Sequence, residues 1–340
     1  MRKLPVYFLI DVSESMAGEP IQEVEKGMKG IIQDLRHDPY ALETVYISIL
    51  VFAGQAEVLV PLTELYAFQT PNFPIGSGTA LGKGLELLMK CIDAEVRQST
   101  AQAKGDWKPI VFLFTDGAAT DNCGPAIEKW RRNYSGKCEL IVVTFGRSAD
   151  VGLLERLGGQ VLTLTDLGPD SFKEFFKWVS ASIMVSSVAV NEGRDANPLE
   201  GRSCINLEKG EASKRVDENW IILTGKCGKK KDCYIVKYQP ADERGGRGKA
   251  PYELVGAYAI DPDAYARLGG ASAPKMNVNS DLLGLVPACP CCGNPTSLLH
   301  CNNCSNIFCG PNAGEVTCPW CGNQGKIVNV DNLEFSRSQG

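Results

Sequence analysis

Residues 8–16 of the chain read FLIDVSESM, and the fold of the first half can be worked out from this stretch. Its apolar start predicts a buried β-strand that ends at Asp11. Asp11, Ser13 and Ser15 then place oxygen-bearing side chains on alternate residues. Oxygen ligands suit a hard divalent cation, whereas an isolated copy of this pattern is also typical of helix N-caps and turns. The stretch therefore predicts a metal loop if other segments complete it.

The rest of the first half alternates candidate strands and helices, which predicts a mostly parallel sheet with helices on both faces. Apolar and β-branched runs predict strands at 6–10, 44–52, 56–62, 109–115, 139–145 and 160–164. Apolar residues at helical spacing predict helices at 20–35, 81–96, 126–134, 151–157 and 171–185. The expected fold class is α/β, with a doubly wound, Rossmann-like sheet.

Two later segments carry the side chains that would complete the metal loop. Segment 76–79, GSGT, supplies the hydroxyl of Thr79, and segment 112–117, FLFTDG, supplies the carboxylate of Asp116 after another apolar run. In open α/β sheets, ligands bind at the carboxyl ends of the strands. Because Asp11 and Asp116 both follow predicted strands, both are expected at that edge.

These three segments, D-x-S-x-S, then a G-T loop, then T-D-G, resemble the von Willebrand factor A family over roughly residues 1–187. In that family the pattern forms the metal-ion-dependent adhesion site, and the matching positions are Asp11, Ser13, Ser15, Thr79 and Asp116. The resemblance implies that the three hydroxyls bind Mg²⁺, Ca²⁺ or Mn²⁺ directly, and that the aspartates bind it directly or through water. It also implies that an acidic side chain of a partner protein fills the remaining coordination position.

The helical periodicity of the first half ends near residue 188, where the polar segment NEGRDAN at 191–197 follows, and we place a linker at 188–202. A small β-rich region is predicted within 203–272, from short runs at 220–224, 233–239 and 252–260. The chain is therefore expected to contain two domains, at 1–187 and 203–335, which agrees with its length of 340 residues.

The cysteines are unevenly distributed, since eight of the fourteen lie between Cys289 and Cys321. Three pairs have C-x-x-C spacing: Cys289 with Cys292, Cys301 with Cys304, and Cys318 with Cys321. Four thiolates around a tetrahedral Zn²⁺ explain this spacing, and a segment this small lacks the apolar core to fold without a metal. The tail at 287–325 is therefore predicted to be a zinc-ribbon-like segment with structural zinc.

The full set of zinc ligands stays open at this point. Eight cysteines and His300 are enough for one or two zinc ions, with Cys309 joining the second site. The remaining ligand is either Cys291 or His300, and the order of the residues does not choose between two separate ribbons and a cross-braced arrangement.

An A domain followed by a cysteine-rich tail resembles the TerY-type proteins of the bacterial tellurium-resistance group. The resemblance implies a C-terminal metal-binding domain over about residues 200–335. It also implies that the protein works alongside a protein kinase and a metal-dependent protein phosphatase, in stress responses, metal responses or phage defence.

Composition and charge argue against several classes of protein. The net charge of −5 argues against a general nucleic-acid or anionic-membrane surface. The sequence has no apolar run of about 18 residues, so no transmembrane helix is expected, and its first apolar run is too short for a signal peptide. Cysteine pairs confined to one tail are typical of thiolate metal sites in a reducing compartment, so we expect a cytoplasmic protein.

The leading hypothesis is a non-enzymatic adaptor that binds an acidic partner through Mg²⁺ and uses the zinc tail as a second contact surface. A hydrolase with a Mg²⁺-activated water is an alternative, but the sequence has no Walker loop or H-E-x-x-H motif. A nucleic-acid-binding zinc ribbon is another alternative, but no Lys or Arg lies between Cys289 and Cys321.

Overall fold

The computed structural model describes residues 2–116, 119–145, 150–164, 169–193, 208–209, 220–241, 251–269, 276–328 and 332–337. The chain divides into two units. The first consists of Met1–Val12, Glu19–Phe73 and Thr79–Val216, and the second of Ser13–Gly18, Pro74–Gly78 and Asp217–Gly340. We call Ser13–Gly18 the ion loop and Pro74–Gly78 the glycine loop; both belong to the second unit.

The first unit is built on one sheet. Its strands are β1 (Leu4–Asp11), β2 (Val45–Phe52), β3 (Ala56–Glu64), β4 (Ile110–Thr115), β5 (Glu139–Phe145), β6 (Gln160–Leu164) and β7 (Glu208–Lys209). Within the described residues their order is β3-β2-β1-β4-β5-β6-β7. β1, β2, β4, β5 and β6 run parallel, and β3 and β7 are antiparallel to their neighbours. Every residue of β1 is buried, as expected for a strand whose sheet is covered on both faces.

Helices pack on both faces of this sheet: α1 (Glu19–Arg36), α2 (Pro39–Thr44), α3 (Leu81–Glu95), α4 (Gly124–Asn133), α5 (Val151–Glu155) and α6 (Pro169–Asn191). Successive residues of β4 show how the two faces are filled. Leu113 belongs to a buried cluster that includes Leu85 of α3. Phe114 points to the other face, where its ring packs edge-on against Phe175 of α6 with centroids 5.8 Å apart. The alternation follows from the two-residue period of a strand.

The predicted α/β fold is confirmed, with differences at the ends of elements. Helix α2 was not predicted, because six residues are too few for a helical period; the Asp38 side chain caps it by accepting from the Ala41 amide at 2.7 Å. Helix α6 extends to Asn191, so its last turn occupies the first residues of the segment placed in the linker. Residues 194–202 of that segment lie outside the described residues.

The second unit contains β8 (Ile221–Lys226), β9 (Cys233–Pro240), β10 (Tyr252–Ile260), α7 (Pro262–Leu268), β11 (Met276–Asn279), β12 (Thr296–His300), β13 (Ile307–Gly310), β14 (Glu315–Thr317), β15 (Gln324–Lys326) and β16 (Glu334–Arg337). Its main sheet has the order β10-β9-β8-β13-β12. β8 and β13 pair in parallel, with Gly225 opposite Ile307. β11 pairs with β16, and β14 with β15. The β-rich region and the cysteine tail therefore share one sheet.

No helix among the described residues is both long and apolar enough to cross a membrane.

Candidate metal centres

Asp11 ends β1 and is completely buried. Strand β1 pairs in parallel with β4, and this pairing brings Thr115 beside Asp11. The Thr115 hydroxyl donates a hydrogen bond to Asp11 Oδ2 at 2.6 Å. A buried carboxylate is costly without such partners. The strand pairing therefore both compensates for burial and fixes the direction of the carboxylate.

Thr79 lies just before α3 and is tied to the segment that follows β4. Its amide donates to Thr120 Oγ1 at 2.8 Å, and its carbonyl accepts from the Thr120 amide at 2.8 Å. The Thr79 hydroxyl, in contrast, is buried and has no hydrogen-bond partner among the described residues. Buried polar groups nearly always have a partner, so this hydroxyl calls for an explanation.

Asp116 follows β4 directly, at the same carboxyl edge of the sheet as Asp11. It is partly exposed, whereas Asp11 and Thr79 are buried. The next two residues, 117 and 118, lie outside the described residues. The structure thus places both predicted aspartates at one edge of the first unit, as the strand assignments required.

Ser13 and Ser15 lie in the ion loop, two and four residues after Asp11. Ser13 is the N-cap of a 3₁₀ turn at Glu14–Met16. The two hydroxyl oxygens are 2.9 Å apart, and both side chains are buried. Alternate residues therefore present their hydroxyls to the same place, as the D-x-S-x-S spacing predicts.

The chemistry of this donor set fits a divalent metal. It offers only hydroxyl and carboxylate oxygens, which are the ligands that Mg²⁺ prefers. Coordination to an ion would also satisfy the Thr79 hydroxyl, which protein groups leave without a partner in the described residues. The resemblance to the von Willebrand factor A family implies that Ser13, Ser15 and Thr79 would hold the ion directly, with Asp11 and Asp116 bound directly or through water.

Four cysteines of the second unit form a first sulfur group: Cys227, Cys289, Cys292 and Cys309. All four sulfurs lie within 4.8 Å of one another. Cys309 Sγ is 3.6 Å from Cys292 Sγ and 3.9 Å from Cys227 Sγ. Zn–S bonds of about 2.3 Å in a tetrahedron place sulfurs about 3.8 Å apart, so the group has the dimensions of a four-thiolate zinc site.

A second group contains the other two C-x-x-C pairs, Cys301, Cys304, Cys318 and Cys321. Its sulfur distances are 3.7 Å for Cys301 to Cys321 and 3.8 Å for Cys304 to Cys318. The first group takes Cys309, which lies between the two pairs of the second group along the chain. The two groups are therefore interleaved in sequence. Of the two arrangements that the order of the residues left open, separate ribbons and a cross-braced pairing, the sulfur groups have the cross-braced one.

The thiols of the first group differ in their readiness to ionise. Burial raises the pKa of Cys289 to about 11 and that of Cys309 to about 12. At Cys227 burial acts in the same direction, but hydrogen bonds from the Lys230 and Lys229 amides and from neighbouring thiols outweigh it and lower the pKa to about 7. Zinc ligands must be deprotonated, and the lowered pKa of Cys227 favours its thiolate form.

The second group shows the same division. Burial raises the pKa of Cys318 to about 12. Hydrogen bonds from the Asn303 side chain and the Asn323 amide lower the pKa of Cys321 to about 6. In each group, hydrogen bonds thus lower the pKa of one thiol below its ordinary value, while burial raises the pKa of another.

Comparison with protein-family models agrees with both parts of this description. The model for the von Willebrand factor type A domain matches residues 6–171, and the model for the TerY-C metal binding domain matches residues 217–340. The chain belongs to the TerY-type von Willebrand factor A proteins. No curated protein has significant similarity to it.

Solved structures of von Willebrand A proteins resemble this TerY-type chain at low identity. A von Willebrand factor type A protein from Catenulispora acidiphila is 14% identical, with a TM-score of 0.39, over 78% of this chain and 69% of its own. Proximal thread matrix protein 1 from the mussel byssus, in a structure with a zinc-occupied MIDAS motif, is 18% identical, with a TM-score of 0.40. That match covers 54% of this chain and 46% of the mussel protein, so the TerY-type chain spans about half of its length.

The two sulfur groups of this TerY-type protein differ from the predicted ligand set at one position. Neither Cys291 nor His300 belongs to a sulfur group within the described residues, and Cys227 joins Cys309 instead. The physical reason is the pairing of β8 with β13, which brings the residue after β8 beside a residue of β13. The sequence offered one signal for this ligand, because Cys227 closely follows the predicted strand at 220–224 and precedes Cys233 across a short lysine-rich turn.

The two displaced candidates lie elsewhere in the same unit. Cys291 Sγ points to the Cys233 carbonyl at 3.9 Å, and burial raises its pKa to about 11. The ring of His300 packs edge-on against Phe335, with centroids 6.1 Å apart. Cys291 is thus a thiol beside the first sulfur group, and His300 is part of the packing between β12 and β16.

Proposed function

We propose that this protein is a non-enzymatic adaptor that captures a carboxylate of a partner protein through Mg²⁺ at the adhesion site. The observation that carries the proposal is the buried Thr79 hydroxyl, which has no partner among the described residues, at the edge of the sheet where Asp11 is oriented by Thr115. When bound, the ion supplies positive charge at which an anionic oxygen binds. Asp116 is the partly exposed member of the set, so the partner's carboxylate approaches from its side.

The two sulfur groups complete this proposal with structural zinc. Four cysteines in each group leave no coordination position for a substrate on a tetrahedral ion. Two such ions would hold the short strands of residues 276–328 together and present them as a rigid second contact surface. Two contact surfaces on one chain suit an adaptor, because a second contact to the same assembly strengthens binding without new chemistry.

The partners that we propose are a protein kinase and a metal-dependent phosphatase, in a cytoplasmic tellurium-resistance, stress-response or phage-defence system. The resemblance of the chain to the TerY group supports this choice. An acidic segment on either enzyme would provide the carboxylate.

The adhesion site is tested by calorimetric titration of Mg²⁺ into the full, zinc-loaded chain. We expect Asp11→Ala and Ser13→Ala to abolish the binding of Mg²⁺ and of the kinase or phosphatase, while Asp38→Ala leaves both unchanged because Asp38 only caps α2. Mg²⁺ is removed by dialysis, and zinc content is checked, because a strong chelator would also strip the sulfur groups. Partner binding that persists without Mg²⁺ and in Asp11→Ala would refute the proposal, as would Mg²⁺-dependent turnover of a phosphoester by the purified chain.

The zinc groups are tested separately by elemental analysis. We expect two zinc ions per chain, and one in Cys227→Ser. Cys291→Ser is the matched control and should retain two, because Cys291 lies in neither sulfur group. A full complement of zinc in Cys227→Ser, or a loss in Cys291→Ser, would contradict the assignment of ligands.

A further inference from the structure

Side chains from β9 and α7 hold the ion loop from within the second unit. Glu14 and Ser15 of this loop are buried. The Tyr265 hydroxyl of α7 donates to Glu14 Oε1, and the Lys237 ammonium of β9 donates to the Ser15 carbonyl. These contacts join residues 251 and 222 positions apart in the chain. They lie on the two residues that follow Ser13, so they restrain the turn that presents the loop's hydroxyls.

Lys237 is buried, which is unusual for a lysine. Its side chain is only 3% exposed, and its Nζ also lies 4.2 Å from the centre of the Trp220 ring. A buried ammonium is expensive unless polar groups surround it, and an aromatic face attracts a desolvated cation. The Lys237 ammonium is therefore directed at the Ser15 carbonyl, whereas an ordinary surface lysine would keep its ammonium in water.

Tyr265 connects the ion loop to the glycine loop. Besides Glu14, its hydroxyl is hydrogen-bonded to Ser77 of the glycine loop and lies 3.2 Å from Thr224 Oγ1 on β8. A phenol hydroxyl has one hydrogen to donate and two lone pairs, so these three contacts use it fully. Burial and the Glu14 carboxylate raise the pKa of Tyr265, which keeps the hydroxyl protonated and able to donate at neutral pH.

The end of the ion loop is fitted closely to β10. Gly18 has φ +93°, and a Cβ built on it would lie 2.5 Å from Cζ of Tyr258. Both the backbone conformation and the space therefore favour glycine at this position. The loop is thus restrained at its centre by Lys237 and Tyr265, and at its end by the ring of Tyr258.

We propose that Tyr265 and Lys237 are positioning residues for the adhesion site, which hold the ion loop and the glycine loop in the arrangement that binds the metal. The proposal rests on the proposed function of that site. It predicts that metal affinity depends on side chains of the TerY-C region, because preorganised loops lose less conformational freedom when the ion binds. Tyr265 acts on both loops, and Lys237 acts on the ion loop alone.

The test uses Mn²⁺ as the probe, with the full, zinc-loaded chain. Free Mn²⁺ is measured by electron paramagnetic resonance for the wild type, Tyr265→Phe and Tyr252→Phe, the last being a hydroxyl deletion on β10. We expect Tyr265→Phe to raise the Kd for Mn²⁺ about tenfold, which is about 1.4 kcal/mol and within the range of the net contribution of a typical hydrogen bond. Tyr252→Phe should bind as the wild type does, and zinc content should be two ions in each.

Hydrogen exchange of the metal-free chain separates positioning from general destabilisation. Tyr265→Phe should speed exchange in peptides covering 13–18 and 74–78, and Lys237→Met only in 13–18, while peptides covering 296–310 keep wild-type rates. Equal or tighter Mn²⁺ binding by Tyr265→Phe, or unchanged exchange in both loops, would overturn the proposal. If the wild type itself bound no Mn²⁺, the adhesion function would fall, and the exchange rates would still decide whether Tyr265 holds the loops.

Discussion

The buried hydroxyl of Thr79 allows a test in which the sign of a stability change reverses with the metal. Replacing Thr79 by Val keeps the shape of the side chain and removes the hydroxyl, which has no partner among the described residues. A buried polar group without a partner costs about 1–3 kcal/mol. Without Mg²⁺, we therefore expect Thr79→Val to raise the free energy of unfolding of the first unit by about 1 kcal/mol.

When Mg²⁺ is present, the wild type should have the higher free energy of unfolding and Thr79→Val the lower one. A ligand at 100 times its Kd stabilises the folded state by about 2.7 kcal/mol, and the wild type gains this amount only while its ligand set is complete. Thr79→Val loses a direct ligand, so its gain should be small, and the wild type should become the more stable protein by about 1–2 kcal/mol. The crossing of the two stabilities is the signature of a metal ligand.

The assay is urea unfolding followed by hydrogen exchange or fluorescence, with Mg²⁺ either dialysed away or present in excess. Thr44→Val is the matched control, because the buried Thr44 hydroxyl donates to the Tyr40 carbonyl at 2.7 Å within α2, before the start of β2 and away from the carboxyl edge of the sheet. Its loss should lower stability by about 0.5–1.5 kcal/mol with and without Mg²⁺ alike. If Thr79→Val responded to Mg²⁺ as the wild type does, the reasoning that makes Thr79 a ligand would be refuted.

Three further predictions concern packing and protonation. Gly27→Ala should lower the free energy of unfolding by about 1–3 kcal/mol, because a Cβ there would lie 2.0 Å from the Phe176 ring. In the same helix, Gly30→Ala should raise the free energy of unfolding by about 0.5–1 kcal/mol, because no described atom lies within 4 Å of the added Cβ. Equal effects of the two substitutions in a denaturant titration would contradict this packing. In zinc-free protein at pH 7, iodoacetamide should label the exposed Cys321 long before Cys138, which is buried in the first unit and whose pKa burial raises to about 12. Mass spectrometry of the first labelled peptide checks this order, and earlier labelling of Cys138 would contradict it. Burial opposes ionisation of Asp106, but hydrogen bonds from Arg97 and the Lys3 amide lower its pKa overall. Its contribution to the free energy of unfolding is therefore present above the ordinary aspartate pKa of about 3.9 and is lost as the pH falls through the lower pKa of the folded state. Asp106→Asn should be less stable than the wild type at pH 7 and equally stable in acid, and a stability difference that does not depend on pH would count against this assignment.

Local patterns were enough to predict much of the fold. The apolar run that ends at Asp11 and the one that precedes Asp116 both form the predicted strands, because a strand buried on both faces needs an apolar residue at nearly every position. Helix ends were less predictable. Helix α6 extends to Asn191, because the packing of a long helix on a sheet continues beyond the point where its apolar period weakens.

The sequence by itself determined the oxygen donors at the ends of two parallel strands and the three C-x-x-C pairs, because each of these depends on residues only a few positions apart. The tertiary structure decided which partners lie far along the chain. Cys227 joins the first sulfur group because β8 pairs with β13, and the ion loop is held by Lys237 and Tyr265 from more than 200 positions away. Such contacts leave no periodic or spacing signal in the sequence, since they arise only when separate strands and helices pack together.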